Sequence, residues 1–126
     1  NYINICLESI GLMVSNPSWQ INFTRNTQNK SAEETAWDLC LKFPKDHLAQ
    51  CVIGGVDNLM NFNELNIDNP ARFCNLTPDK FKPLCYQRIG ISLRGQTIDN
   101  SMIVRECSKL AEKYKNVCVS SAGLKI

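Results

Sequence analysis

The sequence lacks an apolar run long enough to cross a lipid bilayer. Its longest apolar stretch, Leu48–Val56, is interrupted by Gln50 and by two glycines. A spanning helix needs roughly 20 consecutive apolar residues. We therefore expect no transmembrane segment.

An excess of charge of one sign is also missing. The chain carries 14 basic and 12 acidic residues, a formal net charge of +2, and neither sign forms a long block. Binding to nucleic acid or to an anionic membrane depends on a basic patch or stripe. The sequence therefore predicts no nucleic-acid partner.

Metal and phosphate motifs are missing as well. His47 is the only histidine, and no two cysteines lie closer than 11 positions, whereas structural zinc sites pair ligands about two to four residues apart. Residues 90–97 resemble a phosphate-binding loop, but Gln96 stands where the motif has lysine, and no strand precedes it. We expect a helix end and a turn there, and neither a metal nor another cofactor.

Cysteine is abundant and regularly placed. Six of the seven cysteines form three pairs with the same separation of 11 positions: Cys40 with Cys51, Cys74 with Cys85, and Cys107 with Cys118. Successive pairs follow each other after 34 and then 33 residues. This period is the size of one helix-turn-helix unit. The chain therefore contains an internal repeat, and the repeat is predicted to be an αα-hairpin.

Local signals place helices around each cysteine pair. Three helix starts are predicted: a capping box at Ser31 and Glu34, a cap at Asn69 followed by Pro70 in the first helical position, and a cap at Asp99, Asn100 or Ser101. Pro44 is expected to end the first of these helices. Turns are expected at 61–69 and 94–100, which are rich in Asn and Gly.

This arrangement places the first cysteine of each pair near the end of one helix and the second near the start of the next. In an antiparallel hairpin such residues face each other, within the roughly 4.4–6.8 Å between Cα atoms that a disulfide needs. We therefore predict the bridges Cys40–Cys51, Cys74–Cys85 and Cys107–Cys118. Bridges of this kind persist in oxidising compartments, so an extracellular or periplasmic location is expected.

The predicted fold is all-α: a short solenoid of antiparallel αα-hairpins stapled by disulfides. We expect a single array over residues 1–126, with repeats at about 31–66, 67–98 and 99–126 after a partial repeat at 1–30.

Residues 16–30 exceed the repeat and are expected to form an inserted loop. Trp19, Ile21 and Phe23 in this loop are candidate binding residues, since insertions in repeat arrays map to one face. Alternatively, Trp19 and Phe23 fold back and cover the end of the stack.

Cys6 is left without a partner. Its surroundings match those of the second cysteine in each pair, so its partner would precede residue 1, as expected for a segment of a longer array. The alternative is a free buried cysteine, which packs as a small apolar residue.

Three N-glycosylation sequons occur, at Asn22, Asn29 and Asn75. An asparagine-rich sequence contains such motifs by chance, and they matter only in a eukaryotic secretory pathway.

The 34-residue period with one cysteine pair per hairpin resembles the cysteine-rich Sel1-like repeat proteins, secreted bacterial relatives of tetratricopeptide repeats. The resemblance covers Ser31–Ile126 and rests on period and pairing. The alanine, glycine and tyrosine signature of that family is not reproduced, and its bridged cysteines are spaced more closely. The resemblance implies a right-handed superhelix whose concave surface binds a protein or peptide.

Two functional hypotheses follow. The first is a secreted or periplasmic, non-catalytic protein-interaction scaffold, either alone or as a structural subunit of a larger extracellular or envelope assembly. The second is a thiol-dependent redox module or enzyme that uses Cys6, or Cys40 and Cys51 with His47, four residues before Cys51. The first is favoured, because the repeat already assigns Cys40 and Cys51 to a bridge.

Overall fold

The computed structural model describes residues 31–62 and 65–125. Within these residues the chain forms six α-helices and no strand: α1 (Ala32–Cys40), α2 (Leu48–Phe62), α3 (Asp68–Leu76), α4 (Lys82–Gln96), α5 (Asn100–Cys107) and α6 (Glu112–Ser121). Short 3₁₀ helices at Lys45–His47 and Asp79–Phe81 precede α2 and α4. The predicted all-α class is confirmed for this part of the chain. None of its helices is long and apolar enough to span a bilayer.

Two predicted helix caps are present. The Ser31 hydroxyl accepts a hydrogen bond from the Glu34 amide at 3.2 Å and donates one to the Glu34 carboxylate at 3.1 Å. The carboxylate therefore contacts the hydroxyl, where the capping box predicted the serine amide. Asp99 is the residue that caps α5, since its carboxylate accepts from the amides of Ser101 and Met102. The Ser101 hydroxyl and these amides lower the pKa of Asp99.

The start of α3 and the lengths of two turns differ from the sequence-based prediction. Helix α3 begins at Asp68, so Pro70 is its third residue and not its first. The Asn66 side chain accepts a hydrogen bond from the Asp68 amide at 2.8 Å. Proline is tolerated at the third position, because the amides of the first turn have no intrahelical partner. The helix end expected within residues 90–97 is present, because α4 ends at Gln96 with Thr97 as its C-cap. The turns predicted at 61–69 and 94–100 are shortened, because α2 and α4 continue into them.

The connections inside the three hairpins have the same backbone geometry. The amides of Phe43, Thr77 and Leu110 donate to the carbonyl of the preceding first cysteine, at 3.0, 3.2 and 3.1 Å. The next residues, Pro44, Pro78 and Ala111, are extended, with φ of −55°, −58° and −57°. Their carbonyls accept from the amides of His47, Phe81 and Tyr114 at 2.9 Å in each case. The period of the cysteines is therefore also a period of the backbone.

A disulfide lies beside each connection, in the pairs Cys40–Cys51, Cys74–Cys85 and Cys107–Cys118. The Cα–Cα distances are 5.7, 5.6 and 5.7 Å, and all six cysteines are fully buried. These are the pairs that the spacing predicts. They join the last turn or last residue of one helix to the next helix and so fix each hairpin.

The hairpins pack through matching helices. Helix α1 packs on α3, whereas α2 packs on α4 and α4 packs on α6. Trp37 and Phe73 meet edge to face between α1 and α3, with ring centroids 6.3 Å apart. Between α4 and α6, Tyr86 stacks on Tyr114 at 4.2 Å. The aliphatic core between them includes Val52, Val56, Leu59, Ile89, Leu93 and Ile103.

Two glycines allow helices to approach closely. A Cβ atom on Gly55 would lie 2.8 Å from the Phe73 ring, and one on Gly90 would collide with the carbonyl oxygen of Cys118. A backbone carbonyl cannot swing aside as a side chain can. Gly90 therefore sets the distance between α4 and α6.

Replacing Gly90 with alanine should destabilise the protein by about 1–3 kcal/mol, the usual cost of overpacking. Gly95→Ala on the same helix is the matched control, since nothing lies within 4 Å of its Cβ position. It should be neutral or stabilise by about 0.5–1 kcal/mol, as expected for alanine in a helix. Urea denaturation measures both, and equal effects of the two substitutions would contradict the role of Gly90.

Candidate functional site

A groove lies between the start of α1 and the end of α3, with a cavity volume of about 250 Å³. Its lining residues are Ser31, Glu33, Glu34, Arg72, Asn75 and Leu76. The serine cap fixes the first wall, because it holds the Glu34 backbone and carboxylate together. The other wall presents Leu76, an exposed apolar side chain with 40% of its surface accessible. We call this site the α1–α3 groove.

A charge pair forms the floor of the α1–α3 groove. Arg72 Nε donates to the Glu33 carboxylate at 2.6 Å, and a terminal guanidinium nitrogen of Arg72 donates to Asn69. Glu33 is buried, whereas the Arg72 side chain is 57% exposed. A buried carboxylate requires such a partner, since it has lost its hydration. More than half of the Arg72 side chain is accessible to solvent, so it can contact a ligand.

The interface between α3 and α5 also contains a buried carboxylate. Ile67 is the counterpart of Glu33, 34 residues later, and Glu106 follows Arg105, the counterpart of Arg72, 33 residues later. Here the Ile67 amide donates to the Glu106 carboxylate at 3.2 Å, and Lys109 donates to the same oxygen at 2.7 Å. Glu106 is 3% exposed. Each interface thus closes on one buried carboxylate, carried by the earlier helix in the first interface and by the later helix in the second.

Lys109 extends this second cluster to the surface. Its hydrogen bond to Glu106 raises its pKa, and the nearby Asp68 carboxylate adds to the effect. The Asp68 oxygen lies 3.5 Å from Lys109 Nζ. The lysine therefore connects the end of α5 to the start of α3.

A buried tyrosine connects the α1–α3 groove to the second helices. The Tyr86 hydroxyl donates to the Asn75 side-chain carbonyl at 2.5 Å, and the Tyr86 ring is stacked on Tyr114. Burial, followed by the neighbouring Tyr114, raises the pKa of Tyr86 to about 12. The Asn75 side chain is thereby held at the edge of the groove.

On α2 and α4 a third ion pair joins neighbouring hairpins. Arg88 donates two hydrogen bonds to the Asp57 carboxylate, at 2.6 and 2.5 Å, and the Ser92 hydroxyl donates a third at 3.0 Å. Paired bonds of this kind fix the relative position of two helices.

A second depression, of about 290 Å³, lies between α4 and α6. Gln87, Asn116, Val117, Ser120 and Ser121 line it. These groups are uncharged, so this depression offers hydrogen bonds without the charge of the α1–α3 groove.

The two described cysteines of the candidate thiol site form a disulfide and are not free thiols. Cys40 and Cys51 are bridged to each other and fully buried, so Cys51 holds no thiol beside His47. His47 itself lies half-buried in the 3₁₀ helix before α2. No group of three potential metal-ligating side chains occurs among the described residues.

Other predicted site residues divide into two groups. Asn75 is exposed at the end of α3 and lines the α1–α3 groove. Outside the described residues lie Cys6, Trp19, Ile21, Asn22, Phe23 and Asn29.

Sequence reasoning missed the charge pairs. Neither Glu33 nor Glu106 belongs to a motif that the sequence predicts. The one available signal was the 39-residue separation that both Glu33–Arg72 and Ile67–Glu106 share. Comparison with known proteins adds nothing to this geometry: no protein-family model, curated protein or solved structure matches the chain.

Arg72→Ala should destabilise the protein by about 1–3 kcal/mol, because it leaves the buried Glu33 carboxylate without its charged partner. Arg105→Ala is the matched control at the equivalent position one period later. Arg105 lies 3.5 Å from Glu106, but Glu106 keeps Lys109 and the Ile67 amide. Its loss should therefore cost less than about 0.5 kcal/mol. Chemical denaturation of both variants measures the difference, and an equal loss would contradict the assignment.

Stability should also fall at alkaline pH through Tyr86. The folded-state pKa of about 12 exceeds that of an unfolded tyrosine, about 10, so the unfolded chain releases this proton first. The contribution is complete below about pH 10 and is lost as the pH rises toward 12. In Tyr86→Phe this part of the pH dependence should disappear. Denaturation midpoints between pH 8 and 11, measured after free thiols are alkylated, test this; an unchanged slope in the variant would refute it.

Proposed function

We propose that this chain is a non-catalytic interaction scaffold, a short right-handed solenoid of disulfide-stapled αα-hairpins that binds a protein or peptide in an extracellular or periplasmic compartment. The observation that carries the proposal is the threefold recurrence of one hairpin connection, with its bridge, its extended residue and its closing hydrogen bond. The second helices of all three hairpins pack on one another in order, and the first helix of the first hairpin packs on that of the second. Repeated units packed in this way form an elongated stack. The hand of the superhelix rests on the resemblance to Sel1-like repeats.

The bridges support the proposed compartment. All six described cysteines are consumed by fully buried disulfides, and structural disulfides of this kind are formed and kept in oxidising compartments. Reactivity at Cys40 or Cys51 would first require this buried bridge to open. That requirement favours a structural role for these cysteines over the thiol-dependent alternative.

The proposed docking surface is the α1–α3 groove. In arrays of helical hairpins the helices on one side line an extended binding surface. The groove combines an exposed Leu76, the half-exposed Arg72 side chain and the Glu34 carboxylate. A peptide with an apolar side chain beside a carboxylate fits this set, because the leucine accepts the apolar group and the guanidinium accepts the carboxylate. The partner is either a free protein or another subunit of a larger extracellular or envelope assembly.

A test of the scaffold uses the oxidised 126-residue chain as bait for secreted or periplasmic proteins of its source, with the bound partner identified by mass spectrometry and its affinity measured in purified form. Leu76→Asp should weaken binding by more than about tenfold, as for an anchor residue at an interface. Ile91→Asp is the matched control, since Ile91 is similarly exposed at 47% but lies on α4. It should change the affinity less than about twofold.

Equal losses in the two variants, or none in either, would refute the groove as the docking site. The same preparation serves for thiol kinetics with an alkylating reagent. Rapid stoichiometric alkylation at Cys40 or Cys51 in the native protein would refute the scaffold proposal and support the thiol-dependent module.

A further inference from the structure

The two functional residues of the sequon at Asn75 differ in their exposure to solvent. Asn75 is exposed, whereas Thr77, the hydroxyl residue of the motif, is only 2% exposed. The Thr77 hydroxyl donates to the Cys74 carbonyl at 2.7 Å, and the Thr77 amide bonds to the same oxygen at 3.2 Å. The acceptor side chain thus lies on the surface while its companion hydroxyl is sequestered.

Helix α4 adds two further contacts to the sequon. The Tyr86 hydroxyl holds the Asn75 side-chain carbonyl at 2.5 Å. Lys82 Nζ donates to the backbone carbonyl of Asn75 at 3.0 Å and also to that of Thr77. Tyr86 follows Cys85 directly, and Cys74 precedes Asn75 directly. The Cys74–Cys85 bridge therefore clamps the sequon against the side chains that close it.

We propose that Asn75 is an N-glycosylation acceptor only while the Cys74–Cys85 hairpin is open, and that the folded protein carries the glycan on its surface but cannot receive it. The motif requires a hydroxyl two residues after the asparagine, so the transferring enzyme must reach Asn75 and Thr77 together. In the closed hairpin Thr77 is out of reach. The Tyr86 hydrogen bond uses the Asn75 oxygen and not Nδ2, so a sugar on Nδ2 leaves this bond intact.

The order of the two covalent steps follows. Transfer forms a bond from Asn75 Nδ2 to the anomeric carbon of a lipid-linked oligosaccharide. The anomeric carbon–oxygen bond to the donor pyrophosphate breaks, the pyrophosphate leaves with the electron pair, and an amide proton is released. Closure of Cys74–Cys85 comes afterwards, with two electrons and two protons passing to a disulfide oxidant such as a dithiol oxidoreductase.

The experiment compares the oxidised chain with the same chain reduced by dithiothreitol, each incubated with purified oligosaccharyltransferase and a lipid-linked oligosaccharide. Occupancy is read on the tryptic peptide 73–80, which separates Asn75 from the other two sequons. The reduced chain should be modified more than about tenfold faster, the factor that about 1.4 kcal/mol of local opening gives. Pro78 directly follows the motif and restricts the backbone of Thr77 in the oxidised and in the reduced chain alike. The readout is therefore the ratio of the two modification rates.

Two bridge variants provide the matched comparison under oxidising conditions. The double substitution Cys74→Ser with Cys85→Ser should make Asn75 an acceptor, whereas Cys107→Ser with Cys118→Ser removes a bridge of the same loop length elsewhere and should leave it closed. Equal rates for the oxidised and reduced chains, or no modification of either, would overturn the proposal. So would failure of the glycosylated chain to re-form Cys74–Cys85 on oxidation, as shown by peptide mapping.

A glycan on Asn75 would also cover one edge of the α1–α3 groove, and this consequence alone rests on the proposed function. The acceptor assay requires no groove partner. Its failure is therefore distinguishable from failure of the scaffold proposal.

Discussion

The disulfide beside each hairpin connection is the constraint on which the rest of the fold depends. Helices α1, α3, α5 and α6 contain only 9, 9, 8 and 10 residues, and isolated helices shorter than about 12 residues are marginal in water. A bridge that closes a loop of about 12 residues contributes on the order of 3 kcal/mol in the chain-entropy model. Because both helices of a pair are tied near their turn, each hairpin enters the stack with its geometry already set.

The three hairpins share one backbone geometry, but the side-chain contacts between them differ from one interface to the next. Glu33 receives a guanidinium from the later helix, whereas Glu106 receives a backbone amide from the earlier one. If a hairpin packed against the wrong neighbour, a buried carboxylate would lose its partner, which is a large penalty. The ion pair of Asp57 with Arg88 and the close approach at Gly90 also disfavour packing against the wrong neighbour. The hairpins therefore share one backbone geometry but pack in one specific order.

The α1–α3 groove and the Asn75 sequon share the end of α3. Arg72, Asn75 and Leu76 all lie on the last turns of α3, next to the Cys74–Cys85 bridge. With the bridge closed, Tyr86 holds the Asn75 side chain and Thr77 is buried. The residues at this end of α3 are therefore positioned by the second hairpin's own disulfide.

The sequence by itself determined the helical period, the three bridges and the cap at Ser31, and it narrowed the cap of α5 to Asp99, Asn100 or Ser101, because each depends on residues within about one hairpin of one another. It located α3 two residues too late, and it did not show that Gly90 lies inside α4, since a glycine inside a helix looks the same in sequence whether it ends the helix or admits a neighbour. The pairing of Glu33 with Arg72 and of Ile67 with Glu106 was decided only by the tertiary structure. Both pairs join residues 39 positions apart, five or six more than the cysteine period, and this offset comes from how one hairpin is shifted along the next. Side-chain packing across the interface sets that shift, and no local pattern in the chain encodes it.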